Sequence, residues 1–408
     1  MHQKEDRLSE TTVMEAFYRT HTYLVEHTMS PLRRSLIDEI DWSDRLIGIK
    51  GTRGVGKTTF LLQHAKEQFG PRDPRCLYVN MNNFYFQGRG IADFAGEFVK
   101  RGGKVLLIDQ VFKQPHWSQE LKKCYDLYPE LHIVFSGSSV MRLKQENPEL
   151  NGICKSYNLR GFSFREFLNL LQQLHLPSYS LDDIISHHEE IAHEVNRVVN
   201  PAKFFKDYLH HGYYPFFLEH RNYEENLLKT MNMMIEVDIL LIKQIELKYL
   251  TKIKKLFYLL AVDGPKSPNI SQLAKDIETS RATVMNYIKY LSEARLINII
   301  YPLGEEFPKK PAKVIMHNPN LMYSFYPIKA DTQDVMEAFF INTLWKDHIV
   351  NQNGRDATYT VDGTWKFRVT DANSMNRIRH NSDLLYARYG CEEGSGNKIP
   401  IWLFGFLY

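Results

Sequence analysis

Gly51-Thr52-Arg53-Gly54-Val55-Gly56-Lys57-Thr58 fits the template G-x-x-x-x-G-K-[ST] at every required position. Before it, Arg45-Leu46-Ile47-Gly48-Ile49-Lys50 is a short apolar run of strand type; after it, Thr58 to Lys66 reads as a helix with Phe60, Leu61 and Leu62 toward a core. A strand, a glycine-rich loop and a helix in that order are the context a phosphate-binding loop needs. Glycines let backbone N–H groups close around phosphate oxygens, and the helix N-terminus adds a favourable dipole. The residues expected to cradle the phosphates of ATP are therefore Gly51, Thr52, Arg53, Gly54, Val55, Gly56, Lys57, Thr58 and Thr59. Lys57 would neutralise the β- and γ-phosphates, and the Thr58 hydroxyl would ligate Mg²⁺.

Working outward, strands and helices alternate: strand 45–50, helix 57–68, strand 76–80, helix 91–100, strand 104–109, helix 117–127 and strand 131–136. That rhythm predicts a parallel sheet with helices on both faces and a ligand at the carboxyl ends of the strands. Lys104-Val105-Leu106-Leu107-Ile108-Asp109 is an apolar run closing on a carboxylate, so Asp109 is expected to hold Mg²⁺ opposite Thr58. The next residue is Gln110, where hydrolysing enzymes of this architecture usually carry Glu. A neutral amide can orient a water but cannot accept its proton, so slow turnover is expected. The opposite reading, in which Gln110 itself or an unrecognised carboxylate supports turnover, stays open. Ser136 ends the run His132-Ile133-Val134-Phe135-Ser136 where a polar sensor of the γ-phosphate would lie; a plain strand-end turn is the alternative.

Residues 1–44 carry helical spacing at Val13, Ala16, Phe17, Tyr23 and Leu24 and read as a helical lead-in. The phosphate-binding domain spans 45–162. Helical periodicity then dominates 163–250, read as a lid. Residues 251–303 read as a winged helix-turn-helix in which Ser280 caps the third helix. Arg281, Asn286 and Lys289 on that helix are the candidates to face a nucleic-acid groove, against the alternative of a rigid packing module. Pro308-Lys309-Lys310-Pro311 reads as a linker, and 304–408 as an α/β domain with a helix over 335–345 and strands at 358–362, 365–369 and 400–407.

Composition narrows the function classes. The net charge is +3 from 51 basic and 48 acidic side chains, too small to imply a nucleic-acid partner by itself. Cys76, Cys124, Cys154 and Cys391 form no C-x-x-C pair, so neither a zinc site nor a disulfide framework is expected. No run approaches the roughly 18 apolar residues of a membrane span, and the expected location is a reducing cytoplasm without membrane partners.

Several blocks together resemble a known family: bacterial and archaeal AAA+ ATPases with a helical lid, a winged helix and a C-terminal domain similar to PD-(D/E)XK nucleases. They are the phosphate loop, Gly102 to Asp109, Trp117-Ser118-Gln119-Glu120-Leu121-Lys122, Phe135-Ser136-Gly137-Ser138-Ser139, Gly161-Phe162-Ser163-Phe164-Arg165-Glu166-Phe167-Leu168, Gly212-Tyr213-Tyr214-Pro215-Phe216, Asn318-Pro319-Asn320-Leu321 and the terminal Ile399 to Tyr408. The resemblance implies an α/β fold class: a P-loop NTPase parallel sheet of AAA+ type, then lid, winged helix-turn-helix and a nuclease-like α/β domain.

The departures matter as much. Relatives carry Asp-Glu where this chain has Asp109-Gln110, and an arginine pair where it has Gly152-Ile153; Lys155 and Arg160 are nearby cations that could compensate. In the last domain Glu337 matches the family's helix acid. Thr358-Tyr359 and Phe367-Arg368-Val369 lack the expected carboxylates, so nuclease activity is not expected. The resulting expectation is an ATP-binding switch with impaired hydrolysis, with a homo-oligomer and a DNA or protein client as partners. An active ATPase and an ATP-responsive DNA-binding regulator stand beside it.

Overall fold

The computed structural model describes residues 2–141, 147–219, 222–325, 330–352, 358–373 and 383–408, with side chains from Val13 onward and outside 241–242. The chain divides into two compact units, Met1–Arg160 and Gly161–Tyr408.

The first unit is built on a five-stranded parallel sheet: β1 (Leu46–Gly51), β2 (Cys76–Asn80), β3 (Val105–Asp109), β4 (His132–Ser138) and β5 (Lys155–Asn158), in the order β2-β3-β4-β1-β5. The first four strands are near-continuous apolar runs. Leu46, Ile49, Leu106, Leu107, Ile108 and Phe135 are all fully buried, as strands covered on both faces must be. Helices Lys57–Gln68, Ile91–Lys100 and Trp117–Leu127 connect them where the sequence predicts. The N-terminal helix His2–His27 packs on β2 and on the helix after the phosphate loop, and Phe17 meets Phe94 edge-on at 5.0 Å between ring centres. β5 is absent from the sequence reading. Its residues, Lys-Ser-Tyr-Asn, are mostly exposed at the sheet edge and leave no apolar signature.

In the second unit, helices Phe164–Gln172, Leu181–Val198 and Ala202–Asp207 share one apolar core with helix Thr332–Leu344 and a five-stranded mixed sheet. The sheet holds β8 (Val350–Gln352), β9 (Thr358–Val361), β10 (Trp365–Asp371), β11 (Leu384–Tyr389) and β12 (Lys398–Pro400), in the order β12-β11-β10-β9-β8. Phe205 and Phe339 meet edge-on at 4.9 Å in that core. Between these elements in sequence come helices Leu250–Asp263, Ile270–Asp276 and Arg281–Glu293, followed by an antiparallel pair of β6 (Ile297–Ile300) with β7 (Lys313–Met316). Ser280 Oγ accepts from the Thr283 amide at 3.1 Å, the cap expected for the third helix.

Two expectations are corrected. Pro308 to Pro311, read as a linker, lies in the loop joining β6 to β7, so that pair spans the boundary drawn at 303. The terminal run, read as a strand, is a 3-10 helix over Ile401–Phe406 that follows only three residues of strand. All six residues are buried, and a fully buried apolar run lacks the alternation that separates strand from helix. Gly405 is needed there, because a Cβ would lie 2.5 Å from Phe164 Cβ.

Candidate functional site

The phosphate loop sits at the carboxyl end of β1. Gly54 and Gly56 have φ of 84° and 90°, left-handed values that favour glycine, and Gly56 leads directly into helix Lys57–Gln68. Gly51 is required for a different reason: a Cβ there would lie 2.4 Å from the Leu159 carbonyl oxygen. Arg34, 8% exposed, donates to the Val55 carbonyl at 3.4 Å and to the Arg160 carbonyl at 2.8 Å, bracing the loop from behind. Lys57 Nζ donates to the carbonyls of Gly51 (2.9 Å) and Thr52 (2.8 Å). A phosphate in the loop would compete with those carbonyls for the ammonium.

Strand register assembles the rest. Asn80 pairs with Asp109 across β2 and β3, and Ile108 pairs with Phe135 across β3 and β4, which brings Asn80, Asp109 and Ser136 to one level at the strand ends. Asp109 is 1% exposed. Its Oδ2 accepts from Thr58 Oγ1 at 2.7 Å, Tyr78 OH at 2.8 Å and Asn80 Nδ2 at 3.2 Å. Its Oδ1 accepts from Ser136 Oγ, which in turn accepts from the Gln110 amide at 2.9 Å. Gln110 has φ 56° and ψ 46°, a left-handed conformation uncommon for a residue with a side chain.

The structure therefore brings together Thr58, Asp109, Ser136 and the Gln110 backbone. A hydroxyl beside a carboxylate is the hard-oxygen chemistry Mg²⁺ selects, and a loop of left-handed glycines ahead of a helix N-terminus suits the phosphates of a nucleotide. Tyr78 and Asn80 are missing from the sequence reading. The period of two along β2 puts both on one face of that strand, and its register on β3 makes that the face of Asp109.

Other candidates are dispersed. Lys155 stands level with Ile47 in the register of β5 on β1, four residues before Gly51 and thus about 13 Å down the sheet. Arg281 and Asn286 are exposed but lie about 140° apart around their helix at 3.6 residues per turn. Lys289 is partly covered, its ammonium 4.2 Å from the centre of the Phe307 ring. In the last domain Glu337 is 5% exposed, and Lys313 Nζ donates to its Oε2 at 2.7 Å. Tyr359 OH donates to the same oxygen, and Gln333 Nε2 to Oε1 at 3.0 Å.

Residues 43–168 match the AAA domain family. The first unit thus carries an AAA-type P-loop domain. Residues 202–332 match a domain of unknown function (DUF8612). An uncharacterized protein of Methanocaldococcus jannaschii is 29% identical over 274 residues, a match covering 64% of this chain and 57% of that protein. The chain therefore spans little more than half of that curated relative. Among solved structures, a variant of Thermotoga maritima RuvB is similar at 15% identity and a TM-score of 0.26, over 62% of this chain and 82% of that one. The Aeropyrum pernix ORC1 protein in complex with DNA is similar at 13% identity and a TM-score of 0.29, over 80% and 92%. Likenesses that low carry no argument about this chain.

No helix among the described residues is long and apolar enough to cross a membrane.

Proposed function

We propose that this chain binds ATP with Mg²⁺ in the loop Gly51–Thr58 and acts as a nucleotide-gated switch that hydrolyses slowly. The observation that carries the reading is the convergence of Thr58, at the start of helix Lys57–Gln68, with Asp109 and Ser136 near the carboxyl ends of β3 and β4, beside the glycine loop. In this reading Lys57 would neutralise the terminal phosphates, and Thr58 and Asp109 would hold the cation. Mg²⁺ would supply charge neutralisation of the phosphates.

Slow turnover rests on Gln110. An attacking water needs a group that takes its proton, and an amide side chain has no basic atom to do so. The four groups around Asp109 commit its oxygens to holding and positioning, which leaves that carboxylate poorly placed to serve as the base instead.

Steady-state phosphate release with Mg²⁺-ATP, measured beside a direct ATP-binding titration on the same sample, tests the proposal. The expected result is saturable binding with turnover well below the roughly 1–100 s⁻¹ typical of kinases. Turnover within that range that disappears in Lys57→Ala would show a working ATPase and overturn the slow-switch reading. No binding at all would overturn the site.

A further inference from the structure

Of the groups that surround Asp109, two belong to β2, a strand with no part in the phosphate loop. Tyr78 OH and Asn80 Nδ2 both donate to Asp109 Oδ2, the oxygen that also accepts from Thr58. The two residues are two positions apart and so project from one face of the strand, level with the end of β3. Tyr78 is 4% exposed, and its backbone amide donates to the buried ring of His21 at 3.0 Å, so the residue is held at both ends.

This arrangement has a consequence for Thr58. A hydroxyl has one proton and two lone pairs. Thr58 commits its proton to Asp109 Oδ2, which leaves the lone pairs as what it can present to a cation. That division persists only while the Asp109 carboxylate keeps its rotation. Ser136 fixes one oxygen and the β2 pair fixes the other.

We propose that Tyr78, with Asn80, is a positioning device for the divalent cation: the two hold the Asp109 carboxylate in the rotation that turns the Thr58 lone pairs toward the metal. The inference rests on the nucleotide-site reading above. If Tyr78 merely filled the core, its ring would matter and its hydroxyl would not.

Tyr78→Phe removes the hydroxyl and keeps the ring. The full-length chain is titrated with ATP in the presence of Mg²⁺ and again with EDTA, and the ratio of the two affinities is compared between wild type and variant. The ratio is expected to fall roughly 10-fold in Tyr78→Phe, the scale on which groups supporting a metal ligand act. Thermal melts should show a smaller stabilisation by Mg²⁺-ATP over ATP alone. An unchanged ratio, with or without a lowered melting temperature, overturns the positioning role while leaving the nucleotide site intact. Wild type that binds no ATP overturns both. Should Tyr78→Phe fail to fold, Asn80→Leu removes the other donor to the same oxygen and carries the same expectation and the same overturning result.

Discussion

Asp109 and Glu337 are both buried carboxylates, 1% and 5% exposed, and the protein treats them in opposite ways. The donors around Asp109 are all neutral: the Thr58, Tyr78 and Ser136 hydroxyls and the Asn80 amide. The donors around Glu337 include an ammonium, Lys313, itself only 12% exposed at its side chain, which also donates to Tyr359 OH at 2.8 Å. A buried carboxylate bonded only by neutral groups has no opposite charge among those partners, a place a cation can fill. One paired with a buried ammonium is already neutralised from within the chain, and a divalent cation beside it would have to displace or repel Lys313. The difference places the expected cation chemistry at the first carboxylate and leaves the second as a packed ion pair.

The largest test of that contrast is Lys313→Met. Removing the ammonium strands the Glu337 charge in the core, and breaking a buried pair in this way should cost about 3 kcal/mol of stability, read from the urea midpoint. Lys313→Met combined with Glu337→Gln should recover most of it. A loss below about 1 kcal/mol in the single variant would mean that Glu337 does not depend on Lys313 for its charge balance.

Next in size, Lys57→Ala should lower ATP affinity roughly 100-fold by removing charge-assisted bonds to phosphate, with the fold intact by circular dichroism. Unchanged affinity would break the assignment of the phosphate loop. Gln110→Glu should raise phosphate release roughly 100-fold, the lower end of what a general base contributes. If that variant stays slow, the missing arginine pair at Gly152-Ile153 becomes the better explanation.

The effect that builds up most gradually concerns pH. Burial holds the imidazoles of His21 and His64 down at about 4, and His64 stacks on Trp42 at 3.6 Å between ring centres. Their folded values lie below the unfolded value of 6.5, so the unfolded chain binds more protons between those limits. Stability of the first unit is therefore fully present above pH 6.5 and declines as pH falls toward 4, on the order of 1 kcal/mol per pH unit per histidine. Urea midpoints at pH 7.5 and 5 check this, and His64→Phe should flatten the profile. A flat wild-type profile would mean that both rings are protonated without penalty.

Much of the first unit was legible without coordinates. The strands Leu46–Gly51, Cys76–Asn80, Val105–Asp109 and His132–Ser138 fall within two residues of the sequence reading at either end, because strands buried on both faces write themselves as apolar runs. The loop and Asp109 were legible because backbone contact with phosphate demands glycines, and cation binding demands a carboxylate, at fixed places along such strands.

What the linear order could not hold is which polar side chains share a neighbour. Tyr78 and Asn80 reach Asp109 through strand register, a pairing between segments some 30 residues apart that no local period encodes. The same holds for Lys313 and Glu337, joined across 24 residues, and for the terminal Ile401–Phe406, whose uniform burial erases the alternation that distinguishes strand from helix. Sequence alone determined the phosphate loop and the alternating parallel sheet, since both are written in local periodicity and local backbone needs. Tertiary structure alone decided which buried carboxylate is bonded by neutral groups and which by an ammonium, because that depends on the donors that folding brings within about 3 Å.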